Sequence, residues 1–289
     1  GEDTIIGGKG DDALNGNAGA NTYIYNVGDG LDTIWASNVD TLVFGEGISQ
    51  NDLTFRQEGN NLRILINGSE TDGIIDVNYY SGDAHRFKEI RFADGSVLDL
   101  RDIGFTMNQN NGSETVEGTS HADVINGNGG NDTIEARGGT GNDYLDGSWG
   151  SDTYIYNRGD GLDTISDSDG QNILKFGADI SFDDLTFRND NGSLRILING
   201  NENQGIICKN FFTNDNYKIN RIVFNDGTMY PVSATGLTLV QKESSETVTD
   251  TVYNDTIYGN NGDDTITCGD GNDVIYGGSG HDAINAGNG

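Results

Sequence analysis

Aspartate recurs at fixed intervals in a glycine-rich part of the chain, and this spacing is the clearest chemical signal in the sequence. Between Gly259 and Asn285, three nine-residue segments follow one another without a gap: GNNGDDTIT, CGDGNDVIY and GGSGHDAIN. Each has Gly at its fourth position, Asp at its sixth and Ile at its eighth. Carboxylate and backbone carbonyl oxygens are the ligands that Ca²⁺ takes in proteins. The spacing therefore predicts all-oxygen cation sites that need no Cys or His.

A turn followed by a short strand would place these aspartates. The glycine-rich first six positions suit a tight turn, because glycine permits positive φ and close backbone approach. The last three positions, such as Thr265–Thr267, are β-prone, with one apolar residue between two polar ones. Two repeats then complete one circuit of a flattened right-handed coil, and successive coils pair as parallel strands ~4.8 Å apart. Turns two repeats apart lie on the same side, so we expect Asp264 to face Asp282.

The nonapeptide matches G-G-x-G-x-D-x-U-x, and the segment resembles the calcium-binding repeats of the RTX (repeats-in-toxin) family of secreted proteins. In that family the sixth-position carboxylate and the carbonyls of the glycine positions supply the ligands. Carried over to this chain, the resemblance implies these candidate ligands: Gly8, Gly10, Asp12, Asp32, Asp123, Asn128, Gly130, Asp132, Gly139, Gly141, Asp143, Gly150, Asp152, Gly159, Gly161, Asp163, Asp255, Asn260, Gly262, Asp264, Gly269, Gly271, Asp273, Gly278, Gly280 and Asp282.

Same-side partners in this scheme are sixth-position residues two repeats apart. Six such pairs have Asp at both ends, which predicts about six or more bound Ca²⁺ ions. The pairs are Asp12/Asp32, Asp123/Asp143, Asp132/Asp152, Asp143/Asp163, Asp255/Asp273 and Asp264/Asp282. Asn21 stands where Asp is expected in the first group of repeats, which weakens any site that depends on it.

The repeats occur in three blocks, and two segments of another character lie between them. The blocks, predicted as β-rolls, cover residues 1–43, 110–174 and 242–289. Residues 44–109 and 175–241 alternate apolar and polar side chains, which predicts half-buried strands. Asp94-Gly95 between two such runs indicates a hairpin turn. Leu62–Gly68 returns as Leu194–Gly200, so the chain holds two tandem units followed by a third block.

These two segments are predicted to be small antiparallel β modules, and they resemble the haemolysin-type calcium-binding-protein-related segments that interrupt repeats in some RTX exoproteins. We expect them to cap and space the rolls and not to bind calcium themselves. The whole chain is therefore predicted to be all-β and elongated, with calcium-binding parallel β-rolls alternating with antiparallel modules.

Composition narrows the function further. The formal net charge is −30, which argues against nucleic acid as a partner because phosphate binding needs a basic patch. All but four of the Lys and Arg residues lie in the modules, so the rolls are nearly pure carboxylate. The sequence has no apolar run long enough for a transmembrane helix and no signal peptide, and we interpret it as a fragment of a larger protein. Cys208 and Cys268 share no motif and are expected to be free thiols.

Other motifs allow a functional and a structural interpretation. Tyr79-Tyr80 and Phe211-Phe212 could form a carbohydrate-binding platform, but we favour a packing wedge where module meets roll. The histidines have no nucleophile motif beside them, and acid pairs such as Asp11-Asp12 belong to repeat turns although they mimic glycosidase carboxylates. We therefore expect no enzyme activity.

The RTX resemblance implies a role as well as a fold. Proteins of this family leave bacteria by type I secretion as unfolded chains and fold outside the cell, where calcium is abundant. We therefore expect a secreted, extracellular, toxin-like calcium-binding repeat region that folds on Ca²⁺. The alternative is a calcium-stiffened adhesin stalk or ligand-binding region, with a host-surface or glycan partner for the parent protein.

Overall fold

A computed structural model describes residues 1–137, 139, 141–214 and 219–289. The described chain is all-β, as predicted, and its helices are four short 3₁₀ turns at Gln50–Asp52, Tyr79–Ser81, Asp83–His85 and Phe182–Asp184. None of these helices is long and apolar enough to cross a membrane. The chain divides into two compact units, Gly1–Gln109 and Asn110–Gly289.

The first unit contains eleven strands. They are β1 (Thr4–Ile6), β2 (Ala13–Leu14), β3 (Thr22–Tyr25), β4 (Leu31–Ile34), β5 (Thr41–Phe44), β6 (Leu53–Glu58), β7 (Asn61–Ile66), β8 (Gly73–Asp76), β9 (Glu89–Arg91), β10 (Val97–Leu98) and β11 (Thr106–Asn108).

Two faces of a coil account for the pairing in this unit. On one face β1, β3, β5 and β9 pair in parallel, and β10 closes antiparallel on β9. On the other face β2, β4 and β8 pair in parallel, β8, β7 and β6 pair antiparallel, and β11 lies parallel to β6. The predicted hairpin is present, because Gly95 donates its N–H to the Phe92 carbonyl at 3.0 Å and β9 and β10 flank that turn.

The described residues of the second unit form eighteen strands. They are β12 (Thr115–Glu117), β13 (Val124–Asn126), β14 (Thr133–Glu135), β15 (Tyr144–Asp146), β16 (Thr153–Tyr156), β17 (Leu162–Ile165), β18 (Asn172–Phe176), β19 (Leu185–Asp190), β20 (Ser193–Ile198), β21 (Asn201–Cys208), β22 (Ile219–Val223), β23 (Met229–Tyr230), β24 (Thr238–Val240), β25 (Thr247–Thr249), β26 (Thr256–Tyr258), β27 (Thr265–Thr267), β28 (Val274–Tyr276) and β29 (Ala283–Asn285).

Pairing in the second unit repeats the plan of the first and then extends it. Strands β12, β14, β16, β18 and β22 are parallel on one face, with β23 antiparallel to β22. On the other face β13, β15, β17 and β21 are parallel, β21, β20 and β19 are antiparallel, and β19, β24, β26 and β28 are parallel again. Strands β25, β27 and β29 form the remaining face of the last roll.

The modules are therefore continuous with the rolls, which the alternation of residues alone did not indicate. In the second unit β21 pairs with the roll strand β17, and β19 pairs with the next roll strand β24. The three antiparallel strands between them belong to the same sheet as the rolls on either side. The sheet is thus continuous from one roll through the module to the next roll.

A thin core runs inside the rolls. In three-residue strands such as β14 and β27 only the central residue points inward, and Ile134 and Ile266 are both fully buried. The four-residue TYIY strands bury two tyrosines each, and Tyr156 donates its hydroxyl to the Gly161 carbonyl at 2.8 Å. A core this thin buries little apolar surface per residue, so the backbone ladder and the turns must contribute much of the stability.

Coil length differs between rolls. Equivalent residues in successive coils are 18 apart in the last roll, as between Asp264 and Asp282. In the middle roll the first coil also has a spacing of 18, as between Glu114 and Asp132, and the later coils have a spacing of 20, as between Asp143 and Asp163. Strand pairing continues in parallel on both sides of the two extra residues.

Candidate metal centres

The structure brings together all six aspartate pairs predicted from the spacing. In each pair the backbone N–H of the first residue donates to Oδ1 of the second, one coil further on. The distances are 3.0 Å for Asp12/Asp32, 2.7 Å for Asp123/Asp143, 2.7 Å for Asp132/Asp152, 3.0 Å for Asp143/Asp163, 2.9 Å for Asp255/Asp273 and 3.1 Å for Asp264/Asp282.

The strand that follows each turn holds these carboxylates in place. The carbonyl of Asp132 accepts the N–H of Thr153 at 2.8 Å, while the N–H of Asp132 donates to the side chain of Asp152. Each aspartate is thus bound to the next coil through both its N–H and its carbonyl group. Successive carboxylates consequently line up in columns along the roll, one per coil.

The second oxygen of most of these carboxylates has no hydrogen-bond partner among the described residues. This is the buried Oδ2 of Asp12, Asp132, Asp143, Asp152, Asp163, Asp264 and Asp273. A buried anionic oxygen without a partner is costly, and a bound cation removes that cost. Apart from Asp12, each of these seven carboxylates therefore has an Oδ1 that accepts an N–H of the preceding coil, which fixes the side chain, and a free Oδ2, which can coordinate.

Burial of these carboxylates also changes their protonation. Loss of solvation raises the pKa of Asp143 to about 7 and that of Asp163 to about 8. It raises the pKa of Asp132 and Asp152 as well. The roll therefore concentrates negative charge in a site where only a proton or a cation can neutralise it.

Glycine is required where turns of neighbouring coils touch. Gly161 has φ of +95°, and a Cβ there would overlap the carbonyl oxygen of Gly141 in the preceding coil. Gly280 has φ of +141°, and a Cβ there would overlap the carbonyl oxygen of Gly262 in the preceding coil. The turns can stack at this distance only because neither residue carries a side chain. Asn128, at a second position, adopts the left-handed region with φ of 68°, which asparagine tolerates.

Two kinds of predicted ligand are less available than the spacing suggested. The Gly161 carbonyl accepts hydrogen bonds from Gly205 N–H at 2.9 Å and from the Tyr156 hydroxyl at 2.8 Å, which occupies both of its lone pairs. The Oδ2 atoms of Asp123 and Asp255 accept hydrogen bonds from the hydroxyls of Thr119 and Thr251. Threonine at the second position of a repeat thus satisfies the oxygen that is free in other repeats.

The first roll has one complete pair and one degenerate column. Asn21 donates its side-chain Nδ2 to Oδ1 of Asp40 at 3.1 Å, and the other oxygen of Asp40 accepts from the Ser37 hydroxyl at 2.8 Å. That column is satisfied by hydrogen bonds without a cation, as the Asn21 substitution suggested. Asp12 and Asp32 remain the candidate site of this roll.

Two glutamates extend the columns beyond the residues predicted as ligands. Glu114 and Glu246 donate their N–H groups to Oδ1 of Asp132 and Asp264 at 2.8 Å and 2.9 Å. The Oε2 of Glu246 is buried without a hydrogen-bond partner among the described residues. Their nine-residue spacing from the next sixth-position aspartate is the signal in the sequence that identifies them.

The aromatic pairs lie mainly inside the units. Tyr79 and Phe211 are each 1% exposed, and Tyr79 packs on Phe105 at a centroid distance of 6.1 Å. Their neighbours Tyr80 and Phe212 are half-buried. Tyr79 and Phe211 are therefore core residues, and their packing between module and roll stays a prediction.

Family comparisons agree with both halves of the pattern. The model of the RTX calcium-binding nonapeptide repeat (4 copies) matches residues 1–31, 109–139, 135–162, 243–273 and 258–289. The model of the haemolysin-type calcium binding protein related domain matches residues 61–102 and 194–232.

Among curated proteins, the chain is similar to the iron-regulated protein FrpA of Neisseria meningitidis serogroup C, with 32% identity over 116 residues. That alignment covers 37% of this chain and 10% of FrpA, so the chain spans about a tenth of this relative's length. Among solved structures, it matches the extracellular lipase LipA from Serratia marcescens at 18% identity and a TM-score of 0.23, covering 71% of this chain and 35% of the lipase.

Proposed function

Because the chain is a calcium-binding repeat region of the RTX type, we propose that it folds when Ca²⁺ binds outside the cell, as part of a bacterial exoprotein exported by type I secretion. The observation that carries the proposal is the column of buried carboxylates such as Asp152 and Asp163, in which Oδ1 accepts an N–H of the preceding coil and Oδ2 is free. The proposed ligands are these free oxygens together with carbonyls of the adjoining turns.

Electrostatic repulsion explains why folding would wait for calcium. Stacking coils brings carboxylates of one sign together at low solvent exposure, so the metal-free roll is disfavoured at neutral pH. Ca²⁺ reverses the sign of this interaction. With Kd ~10⁻⁴ M, typical of extracellular modules, each site contributes ~1.8 kcal/mol at about 2 mM Ca²⁺. A few such sites are comparable with the stability of a typical domain.

Circular dichroism in chelator and in millimolar Ca²⁺ tests the proposal. We expect a largely disordered chain in chelator and β structure with Ca²⁺. Mg²⁺ is the control cation, because it demands a smaller octahedral site and retains its waters. Identical spectra in chelator and in Ca²⁺ would overturn the proposal.

The export route needs a separate test in cells. The chain would be fused upstream of a type I secretion signal and expressed with its transporter, at low and at high internal calcium. If folding waits for external calcium, raising the internal calcium should fold the repeats early and lower the secreted yield. Equal yields would refute this part of the proposal. We further propose that the segment has no catalytic role of its own, since its acid pairs belong to repeat turns.

An adhesive role is the second candidate, and one exposed feature favours it. Tyr258 and Tyr276 stack at a centroid distance of 4.8 Å with rings 5° from parallel, and they are 38% and 52% exposed. The outer face and the hydroxyl-bearing edges of this ring stack are exposed, and they can contact a sugar. A glycan array probed with the calcium-loaded chain, with Tyr276→Ala as the matched control, tests this candidate. Binding that the variant retains, or no binding at all, would count against it.

A further inference from the structure

A second kind of cation site lies in the last roll, where one repeat departs from the glycine rule. The first position of the repeats is usually Gly, as at Gly7 and Gly259. A Cβ at either residue would lie 2.8 Å from Oδ2 of the aspartate in its own repeat, Asp12 or Asp264. A side chain at this position therefore points at the carboxylate that binds the cation. Cys268 occupies the first position of its repeat.

The thiol belongs to a three-residue cluster formed by neighbouring coils. Sγ of Cys268 and one carboxylate oxygen each of Asp250 and Asp273 lie within 4.8 Å of one another. Asp250 is the first-position residue one coil earlier, and Asp273 is the sixth-position aspartate of the Cys268 repeat. Two departures from Gly at the same position, one coil apart, thus converge on one point.

The cluster contains buried oxygens that lack hydrogen-bond partners. Asp250 is 9% exposed; its Oδ1 accepts the Gly269 N–H at 2.7 Å, while its Oδ2 has no partner among the described residues. Oδ2 of Asp273 is also buried and unpartnered. Asp255, the same-side partner of Asp273, has Oδ2 occupied by the Thr251 hydroxyl at 2.7 Å. The usual calcium pair is therefore impaired at this turn, and the free oxygen of Asp273 is left with the cysteine.

Access to the cluster is provided by a cleft. Asp250 and Cys268 line an open cavity of about 270 Å³ together with Phe211, Phe212 and Val252. The aromatic wedge of the module forms one wall of this cavity, and the turns of the last roll form the other. An ion can therefore reach the thiol without unfolding the roll, and an apolar wall beside it strengthens the electrostatic attraction.

We propose that Asp250, Cys268 and Asp273 form a site for a thiophilic divalent cation such as Zn²⁺. Thiolate selects Zn²⁺ and related ions over Ca²⁺, and two carboxylates with one thiolate leave a fourth position for water in a tetrahedral shell. Binding replaces the S–H bond by a metal–sulfur bond and releases one proton to solvent. The site takes Asp273 from the Asp255/Asp273 pair, so the last roll binds one Ca²⁺ fewer when this cation is present.

Cadmium titration of the full chain in millimolar Ca²⁺ tests the site, because a Cd²⁺–thiolate bond gives an ultraviolet charge-transfer band. We expect that band to saturate at one equivalent, and Zn²⁺ to displace the Cd²⁺. Cys268→Gly, which restores the usual residue, should abolish the band and leave the circular dichroism in Ca²⁺ unchanged. If that variant folds poorly, Cys268→Ser serves the same purpose.

Two further variants separate the cluster from other binding. Asp250→Asn should retain the band but weaken Cd²⁺ binding by at least about tenfold, since even the loss of an outer-shell partner typically costs that much. Cys208→Ala removes the other thiol, which is fully buried in the module, and should leave the intensity of the band and the Cd²⁺ affinity unchanged. A missing band, a band that persists in Cys268→Gly, or unaltered affinity in Asp250→Asn would each overturn the proposal.

Discussion

Replacing Asp143 by Asn tests whether one carboxylate serves two calcium sites. Asp143 accepts the Asp123 N–H at 2.7 Å and donates its own N–H to Asp163 at 3.0 Å, so it belongs to two pairs. Asp12 belongs to one pair, with Asp32. Asparagine is the appropriate substitution because the natural Asn172 accepts the Asp152 N–H at 2.9 Å, which shows that an amide preserves the ladder. The change therefore removes charge and leaves the backbone arrangement intact.

The expected magnitudes follow from the number of sites lost. At about 2 mM Ca²⁺ a site of Kd ~10⁻⁴ M contributes ~1.8 kcal/mol to the free energy of unfolding. Asp12→Asn should therefore cost up to about 1.8 kcal/mol and Asp143→Asn up to about 3.6 kcal/mol. The larger value requires the Thr119 hydroxyl to give up Oδ2 of Asp123 to the cation. The loss in the middle of a roll should also interrupt stacking, because each repeat contacts only its neighbours.

Calcium titrations followed by far-ultraviolet circular dichroism give the midpoint of folding for each variant. Trp149 lies in the second roll but is 75% exposed, so its fluorescence is a weaker reporter than the backbone signal. Asp102→Asn is the matched control, because Asp102 is exposed and lies outside the rolls. An unchanged midpoint for Asp143→Asn, or a larger shift for Asp12→Asn, would show that the aspartates do not act in the pairs that the hydrogen bonds define.

Three other predictions concern protonation, turn packing and the modules. Burial raises the pKa of Asp143 to about 7 and that of Asp163 to about 8, so protonation of these carboxylates favours the folded, metal-free roll. This contribution to stability is complete below about pH 4 and is lost as the pH rises through 7 to 8. In chelator, circular dichroism should therefore show more β structure at pH 5 than at pH 8. Gly280→Ala should lower the calcium-loaded melting temperature far more than Gly59→Asn, because only the first Cβ meets a carbonyl, and similar melting temperatures would contradict this. Arg188→Met breaks the 2.5 Å ion pair with Glu202 in the module and should lower stability without changing the number of bound Ca²⁺ in equilibrium dialysis; a reduced number would place calcium in the module.

The repeat period carried most of the information about the rolls. A fixed spacing of sixth-position residues specifies which carboxylates share a side, and the observed N–H to Oδ1 bonds join the same six pairs. Alternation likewise located the module strands, as at β6 and β7. Alternation does not identify the strand with which each module strand pairs, because β propensity is a property of one strand and pairing depends on two. The parallel contact of β8 with β4 was not foreseen for that reason.

The contacts between side chains within the turns could not be predicted from the repeat spacing either. Thr251 and Asp255 are four residues apart in one repeat, and the hydroxyl of the first satisfies the carboxylate of the second at 2.7 Å. Asp250 and Cys268 are far apart in the chain and meet only because the coil brings first positions together. The repeat pattern alone gives no role to Thr at the second position or to Asp and Cys at the first position. These substitutions nevertheless change which oxygen and sulfur atoms are free to coordinate.

The odd number of antiparallel strands in the module has a consequence for how such a chain can lengthen. Passing from β17 through β21, β20 and β19 to β24 reverses strand direction twice, so the next roll runs the same way as the last. An insert of two or four antiparallel strands would reverse the strand direction of the following roll relative to the preceding one. The calcium-binding turns of the two rolls would then no longer line up along the sheet. Duplicating a roll together with a three-stranded module preserves polarity at each copy. Tandem growth by whole units, and the loss of strands only in pairs, are the length changes that this architecture permits.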